Sequence, residues 1–229
     1  MFLTTRKGVE LIDAPPTIGH NLLRAIAEVT RANGRPGRVT HLVHSHADHA
    51  GASAIFGEDV VRIGHRATRE LLLRDDDPNR PAPTVTFEDH YVLKMGGERL
   101  ELSHHGPNHS PDNIFIYAPH HETLMVVDVL HPGWVPFKHL AVSQDIPAWV
   151  KAHDVAMEYP WKILVGSHPA ASSSRSVNSS TAVSRPSGAA PEDAPPLRSR
   201  TGRRGQLRYA GVAPAAASPG RSSGRVPGR

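Results

Sequence analysis

Apolar runs that alternate with polar residues, broken by two stretches of helical spacing, divide the first 168 residues into strands and helices. FLTT and VELIDA flank RKG, the pattern of a β-hairpin. In PPTIGHNLLRAIAEVTRANG, Ile18, Leu22, Leu23, Ile26 and Val29 recur at helical spacing between a proline pair and Gly34, which predicts a helix of about four turns. RVTHLVHS then reads as a strand, HAGASAIFG as a short helix, VVRIGH as a strand and RATRELLLRD as a helix. After the polar loop DDDPNRPAP come five strand-like runs, TVTF, HYVLKM, ERLELSHH, NIFIYAP and TLMVVDVL, with turns at GG and HHE. DIPAWVKAHDVAMEY predicts a further helix and KILVG a buried strand. This order predicts an α/β domain of sheets covered by helices, with polar clusters on the loops.

The pattern stops at His168. All sixteen histidines and all three tryptophans lie at or before it. From Pro169 the chain is Ser, Pro, Ala, Gly and Arg, with Tyr209 its one aromatic residue, and it cannot bury enough surface to offset the entropy of ordering. The expected organisation is a domain over 1–168 and a disordered tail over 169–229. Charge divides at the same point: the tail holds ten Arg against Glu192 and Asp193, a net of +8, so residues 1–168 carry −4 of the chain's +4. Those arginines are scattered without interleaved aromatics or a nucleic-acid motif, so no specific nucleic-acid partner is expected. The absence of cysteine excludes disulfides and thiolate metal sites. No leader-like segment opens the chain and no run reaches membrane-span length, which predicts a cytoplasmic protein.

Candidate chemistry is concentrated in HLVHSHADHAG. His44 and His46 lie two apart where a strand ends, so in extended backbone they point the same way, and Asp48 and His49 follow at the turn. Imidazole nitrogen and carboxylate oxygen are zinc donors, and this one loop can serve two adjacent cations. Further donors stand singly at strand ends: His109 in HHGPNHSPDN, Asp128 in LMVVDVLHPG and His168 in KILVGSH. An isolated charge ending an apolar strand is costly unless paired or bound to metal. His41 is expected to face away from the site within its strand. His20, His65, His90, His120, His121, His139 and His153 are expected to be solvated, while His104, His105 and His131 lie near enough to ligands for a supporting role.

HSHADH matches the HxHxDH signature of the metallo-β-lactamase superfamily, with His109, Asp128 and His168 in the expected order, and LIDAP with Asp13 resembles the family's first motif. The resemblance covers roughly residues 1–168. It implies an αββα metallo-β-lactamase sandwich with the site at the sheet edges, here incomplete at both ends and followed by the disordered tail. It further implies that His44, His46 and His109 hold one metal, that Asp48, His49 and His168 hold a second, and that Asp128 bridges them. The implied cofactor is two zinc ions, with iron or manganese as alternatives. Two such ions can lower the pKa of a shared water to about 7 and polarise a carbonyl or phosphoryl oxygen, while Asp48 orients the nucleophile and accepts its proton. The reading is hydrolysis of a small-molecule ester, thioester, lactone or related substrate. Asp128 departs from the β-lactamases with Cys at this position and is more similar to the glyoxalase II and lactonase branches, although no helical substrate domain follows His168. A related subgroup oxidises persulfides with one iron. The alternative is a truncated or frameshifted family member, catalytically impaired, that acts as a metal-binding or interaction protein.

Overall fold

The hairpin read from FLTT and VELIDA forms, with β1 (Phe2–Thr4) antiparallel to β2 (Val9–Ile12). The structure, a computed structural model, describes residues 1–131, 140, 142–166 and the backbone of 182–184. Beyond the hairpin, β3 (Val39–Leu42), β4 (Val61–His65) and β5 (Val85–Phe87) continue the sheet in parallel, in the order β1-β2-β3-β4-β5. A second sheet holds β6 (His90–Met95), β7 (Glu98–Ser103), β8 (Phe115–Ala118), β9 (Thr123–Val126), β10 (Ile163–Val165) and β11 (Ala182–Ser184), in the order β11-β10-β9-β8-β7-β6. Its pairings are antiparallel except that of β9 with β10.

Alternation along each strand sorts its side chains into two layers. Ile12, Leu42, Ile63, Leu102, Ile116, Met125, Val127 and Val165 pack between the sheets. Val9, Leu11 and Val39 face outward beneath Leu22 and Ile26 of α1 (Asn21–Ala32). Phe115, Tyr117, Leu124, Val126 and Leu164 do the same beneath Trp149, Ala152 and Ala156 of α4 (Ile146–Glu158). The outcome is the expected αββα sandwich, two sheets face to face with a helix layer outside each.

Local differences from the expected elements have physical causes. Helix α1 begins at Asn21 rather than at the prolines. Ile18 and Gly19 donate to the Pro15 carbonyl in a turn, and Gly19 takes φ +52°, a left-handed step that glycine allows at no steric cost. The helix expected over HAGASAIFG is two pieces, α2 (Ala47–Ala50) and a 3₁₀ turn over Ser53–Phe56. Ala14 donates to the His49 carbonyl and accepts from the Ala52 amide, which ties this segment to the end of β2 and interrupts the helix. Helix α3 spans Arg66–Asp75 as expected.

The expected disordered tail lies outside the described residues apart from β11. Those three residues pair antiparallel with β10 and occupy the backbone groups of what would otherwise be a sheet edge.

Candidate metal centre

Parallel strands β2 and β3 deliver their carboxyl ends to one edge of the first sheet, and β9 delivers its own to the adjacent edge of the second. Asp13 follows β2, His44 follows β3 and Asp128 lies just past β9. His46 is the N-cap of α2, which carries Asp48 and His49, and His109 sits in the loop between β7 and β8. Strand ends concentrate polar groups here because the chain must leave the apolar sandwich at these points.

The structure brings six of the seven sequence-expected donors together, and His168 lies outside the described residues. Asp128 stands at the centre. Its Oδ2 is 3.3 Å from His109 Nε2, 3.6 Å from His46 Nδ1 and 3.9 Å from His44 Nε2. Its Oδ1 accepts from His49 Nε2 at 3.1 Å, and His49 Nε2 also lies 3.8 Å from Asp48 Oδ2. Each oxygen of Asp128 therefore faces a different set of donors. His44, His49, His109 and Asp128 are buried, whereas the Asp48 side chain is 59% exposed.

These separations suit a cation. Two donors on one tetrahedral zinc, with bonds of about 2.0–2.2 Å, would stand roughly 3.3–3.6 Å apart. Hydrogen-bond roles point the same way. Ser143 Oγ donates to the Leu140 carbonyl, so His109 Nδ1–H donates to Ser143 Oγ at 3.1 Å. Burial, outweighing the nearby Asp128 carboxylate, pushes His109 down to about 4, so its ring is neutral near pH 7. Its Nε2 therefore turns a lone pair towards the Asp128 carboxylate, the tautomer being assigned from the network. His46 Nδ1 lies 3.2 Å from the same Nε2 and can donate to it, but against the Asp128 carboxylate that lone pair is repulsive unless a positive charge lies between them. His44 is buried with neither ring nitrogen hydrogen-bonded, and burial lowers its pKa too. Neutral imidazoles are the form that binds metal.

His49 is set differently. Its Nδ1–H donates to Asp13 Oδ2 at 2.9 Å. Burial alone would lower its pKa, but Asp13 and Asp128 override that and hold it up at about 11. Asp13 is in turn held below its usual range by His49, against its own burial. Both aspartates adopt left-handed backbone, Asp13 at φ +58° and Asp128 at φ +60°. Non-glycine residues there cost of order 1–3 kcal/mol and gather at functional sites. The Asp128 conformation is secured by Trp149 of α4, whose Nε1–H donates to the Asp128 carbonyl at 3.0 Å.

A cavity of about 350 Å³ opens over His46, Asp48, His109 and Asp128, with Arg74 and Arg80 on its wall. Of the remaining histidines, His41 is buried on the outer face of the first sheet, away from the cluster, with its ring 5.7 Å from that of Phe56. His65, expected to be solvated, is buried instead: it stacks on His104 at 3.8 Å and accepts the Ala67 amide at the start of α3. His20, His90, His120 and His121 are exposed, and His153 is half-buried against Trp149. His139 lies outside the described residues. His105 turns from the site, with Nε2 2.7 Å from the Tyr159 hydroxyl. Ser143 and Trp149 went unrecognised in the sequence, since a serine in a loop and a tryptophan on an amphipathic helix carry no motif.

No family model matches the chain. Among curated proteins it is similar to a metallo-beta-lactamase type 2 of Elizabethkingia meningoseptica, 25% identical over 58% of this chain and 52% of the relative. It is also similar to metallo-beta-lactamase IND-1 of Chryseobacterium indologenes, 27% identical over 54% and 51%. The chain thus spans about half the length of the curated relatives it matches. Among solved structures it superposes on metallo-beta-lactamase IND-7 with TM-score 0.63, at 20% identity over 76% of this chain and 80% of the other. It superposes on a metallo-beta-lactamase from Pontibacter korlensis with TM-score 0.61, at 22% identity over 74% and 78%.

Proposed function

We propose, from its likeness to metallo-β-lactamases, that the chain is a metal-dependent hydrolase of that superfamily acting on a small ester, thioester or lactone. The observation that carries this reading is the convergence of His44, His46 and His109 on one oxygen of Asp128 while His49 faces the other. In it His44, His46 and His109 would hold one divalent ion. Asp48, His49 and His168 would hold a second, with Asp128 shared between them. Zinc suits the all-nitrogen-and-oxygen donor set, as do iron and manganese. Bound there, the ions would supply an activated water at neutral pH and Lewis-acid polarisation of the substrate oxygen.

The chain's own residues account for the rest. Asp48, exposed to the cavity, accepts the proton of the attacking water, an assistance that contributes typically about 10²–10⁴-fold. Asp13 fixes the His49 ring, and Ser143 fixes the His109 tautomer that turns Nε2 inward. The curated relatives are named β-lactamases, whereas the carboxylate of Asp128 favours the thioester and lactone branches, so acyl substrates without a β-lactam ring come first. The test is turnover of a thioester, a lactone, a β-lactam and a phosphodiester, with metal per chain measured alongside. The expected result is close to two ions per chain and chelator-sensitive hydrolysis of the thioester or lactone. Protein that takes up no metal on reconstitution and turns over none of the four would sink the proposal.

A further inference from the structure

Two adjacent side chains outside the donor set connect the segments that carry it. Asp112 is fully buried in the loop after His109. Its Oδ2 accepts the Ser45 amide at 2.8 Å and the Thr68 hydroxyl at 2.9 Å, and its Oδ1 accepts the Ser110 hydroxyl at 2.7 Å. Ser45 stands between His44 and His46, and Ser110 follows His109. Asn113, equally buried, extends the chain of contacts. Its Nδ2 donates to Asn108 Oδ1 at 3.1 Å and to the Val127 carbonyl at 2.9 Å, and Asn108 Oδ1 also accepts the His109 amide at 2.6 Å. Val127 precedes Asp128. Consecutive residues thus bind the His44–His46 loop to the His109 loop, and the His109 loop to the end of β9.

A carboxylate with no exposure is costly to keep, and nothing in the layering of the sandwich calls for one at this place. The Ser110 and Asn108 bonds stay within the His109 loop, whereas the Ser45 bond crosses to a loop that shares no strand pairing with it and the Val127 bond extends the β8–β9 pairing to the residue before Asp128. Groups that orient metal ligands set affinity because the ion then meets donors already in place.

We propose that Asp112 and Asn113 are positioning residues that hold the three donor-bearing segments in register for the metal, and so set its affinity and coordination geometry. The proposal rests on the metal-site reading above. It distinguishes two kinds of bond to Asp112: that from Ser45 joins the two donor loops and that from Ser110 fixes the carboxylate within the His109 loop, whereas that from Thr68 joins α3, which carries no donor.

The experiment uses the full chain, metal-free and then loaded with zinc or cobalt(II), in wild type, Asp112→Asn, Asn113→Ala, Ser110→Ala and Thr68→Val. Zinc affinity is read by chelator competition, geometry by the visible spectrum of the cobalt form, and folding by the Tm of the metal-free protein. Asp112→Asn, Asn113→Ala and Ser110→Ala are expected to weaken zinc by about 10–100-fold and to change the cobalt spectrum at saturation. Thr68→Val is expected to lower Tm while keeping wild-type affinity and spectrum. Should Asp112→Asn fail to fold, Ser110→Ala, which deletes one hydroxyl, carries the same comparison. Wild-type affinity and spectrum in Ser110→Ala and Asn113→Ala, or equal losses in Ser110→Ala and Thr68→Val, would overturn the proposal. Wild-type protein that binds no zinc would instead overturn the hydrolase reading on which it rests.

Discussion

His41 and His44 stand three residues apart, one within β3 and one just beyond it, and both are buried with neither ring nitrogen hydrogen-bonded. Burial pushes both pKa values down, that of His41 to about 3. Their neighbours differ. His41 lies on the outer face of the first sheet, against Phe56 and opposite Arg62 on β4. Arg62 is buried as well, its guanidinium donating to the carbonyls of Ser53, Gly57 and Val60. His44 packs between the rings of His46 and His49, with Asp128 3.9 Å away. Burial makes either imidazole neutral and hence able to bind metal, but only His44 has other donors converging on the same space. Convergence at strand ends, rather than a histidine's burial, marks the candidate centre.

The largest effects should come from removing what His44 has and His41 lacks. Asp128→Ala takes away the carboxylate shared by both donor sets, so metal per chain should fall towards zero and turnover with it. His44→Ala should empty the three-histidine set, while His41→Leu should keep full metal content by elemental analysis. Metal loss in His41→Leu, or retention in Asp128→Ala, would erase the distinction. Next in size is Asp48→Asn, which keeps a coordinating oxygen but loses the charge. Turnover should drop by about 10²–10⁴-fold with the three-histidine ion still bound. A near wild-type rate would remove Asp48 from the chemistry.

Smaller effects test the partnerless side. Replacing His41 by Leu removes two buried, unpaired ring nitrogens from an apolar setting, and urea unfolding of the metal-free protein should show a gain of about 1–2 kcal/mol. A loss would mean that His41 has a polar role after all. Glu10 is the carboxylate counterpart: it is fully buried between the sheets, and neither oxygen is hydrogen-bonded. Burial, and then the nearby Glu98, push its pKa up to about 7. The folded state therefore holds a proton that the unfolded chain releases near its ordinary pKa of 4.5. That contribution to stability is complete below the lower value and is lost as pH rises through the upper one. Glu10→Gln should accordingly flatten the fall in urea midpoint between pH 5.5 and pH 8.5. An unchanged slope would place the titration elsewhere.

Much of this was legible in the sequence because metal donors are few in kind and crowd together. HSHADH announced itself by density, and Asp128 by being the one carboxylate in an otherwise apolar run. The strands were legible because alternation in a two-layer sandwich leaves a period-two imprint. Asp112 and Asn113 were hidden by their setting, since PDN after a histidine reads as an ordinary turn and the partners at Ser45, Thr68 and Val127 are remote in sequence. His65 was misjudged because a strand-to-helix junction is usually wet, whereas here His104 covers the ring. The break between α2 and the 3₁₀ turn was hidden for a similar reason, because it depends on Ala14, a residue from another strand's end.

The hydrogen bond from Trp149 to the Asp128 carbonyl gives the protein an optical handle on its own centre. Indole emission responds to the partner of its N–H, and this ring is buried directly behind the residue that both donor sets share. Titrating the metal-free chain with zinc should shift or quench that emission in proportion to occupancy, and cobalt should quench it further by energy transfer. Trp149→Phe should remove that response and, having lost the hydrogen bond to the Asp128 carbonyl, bind zinc more weakly than wild type. Loading could then be followed continuously, without a dye and without any knowledge of the substrate.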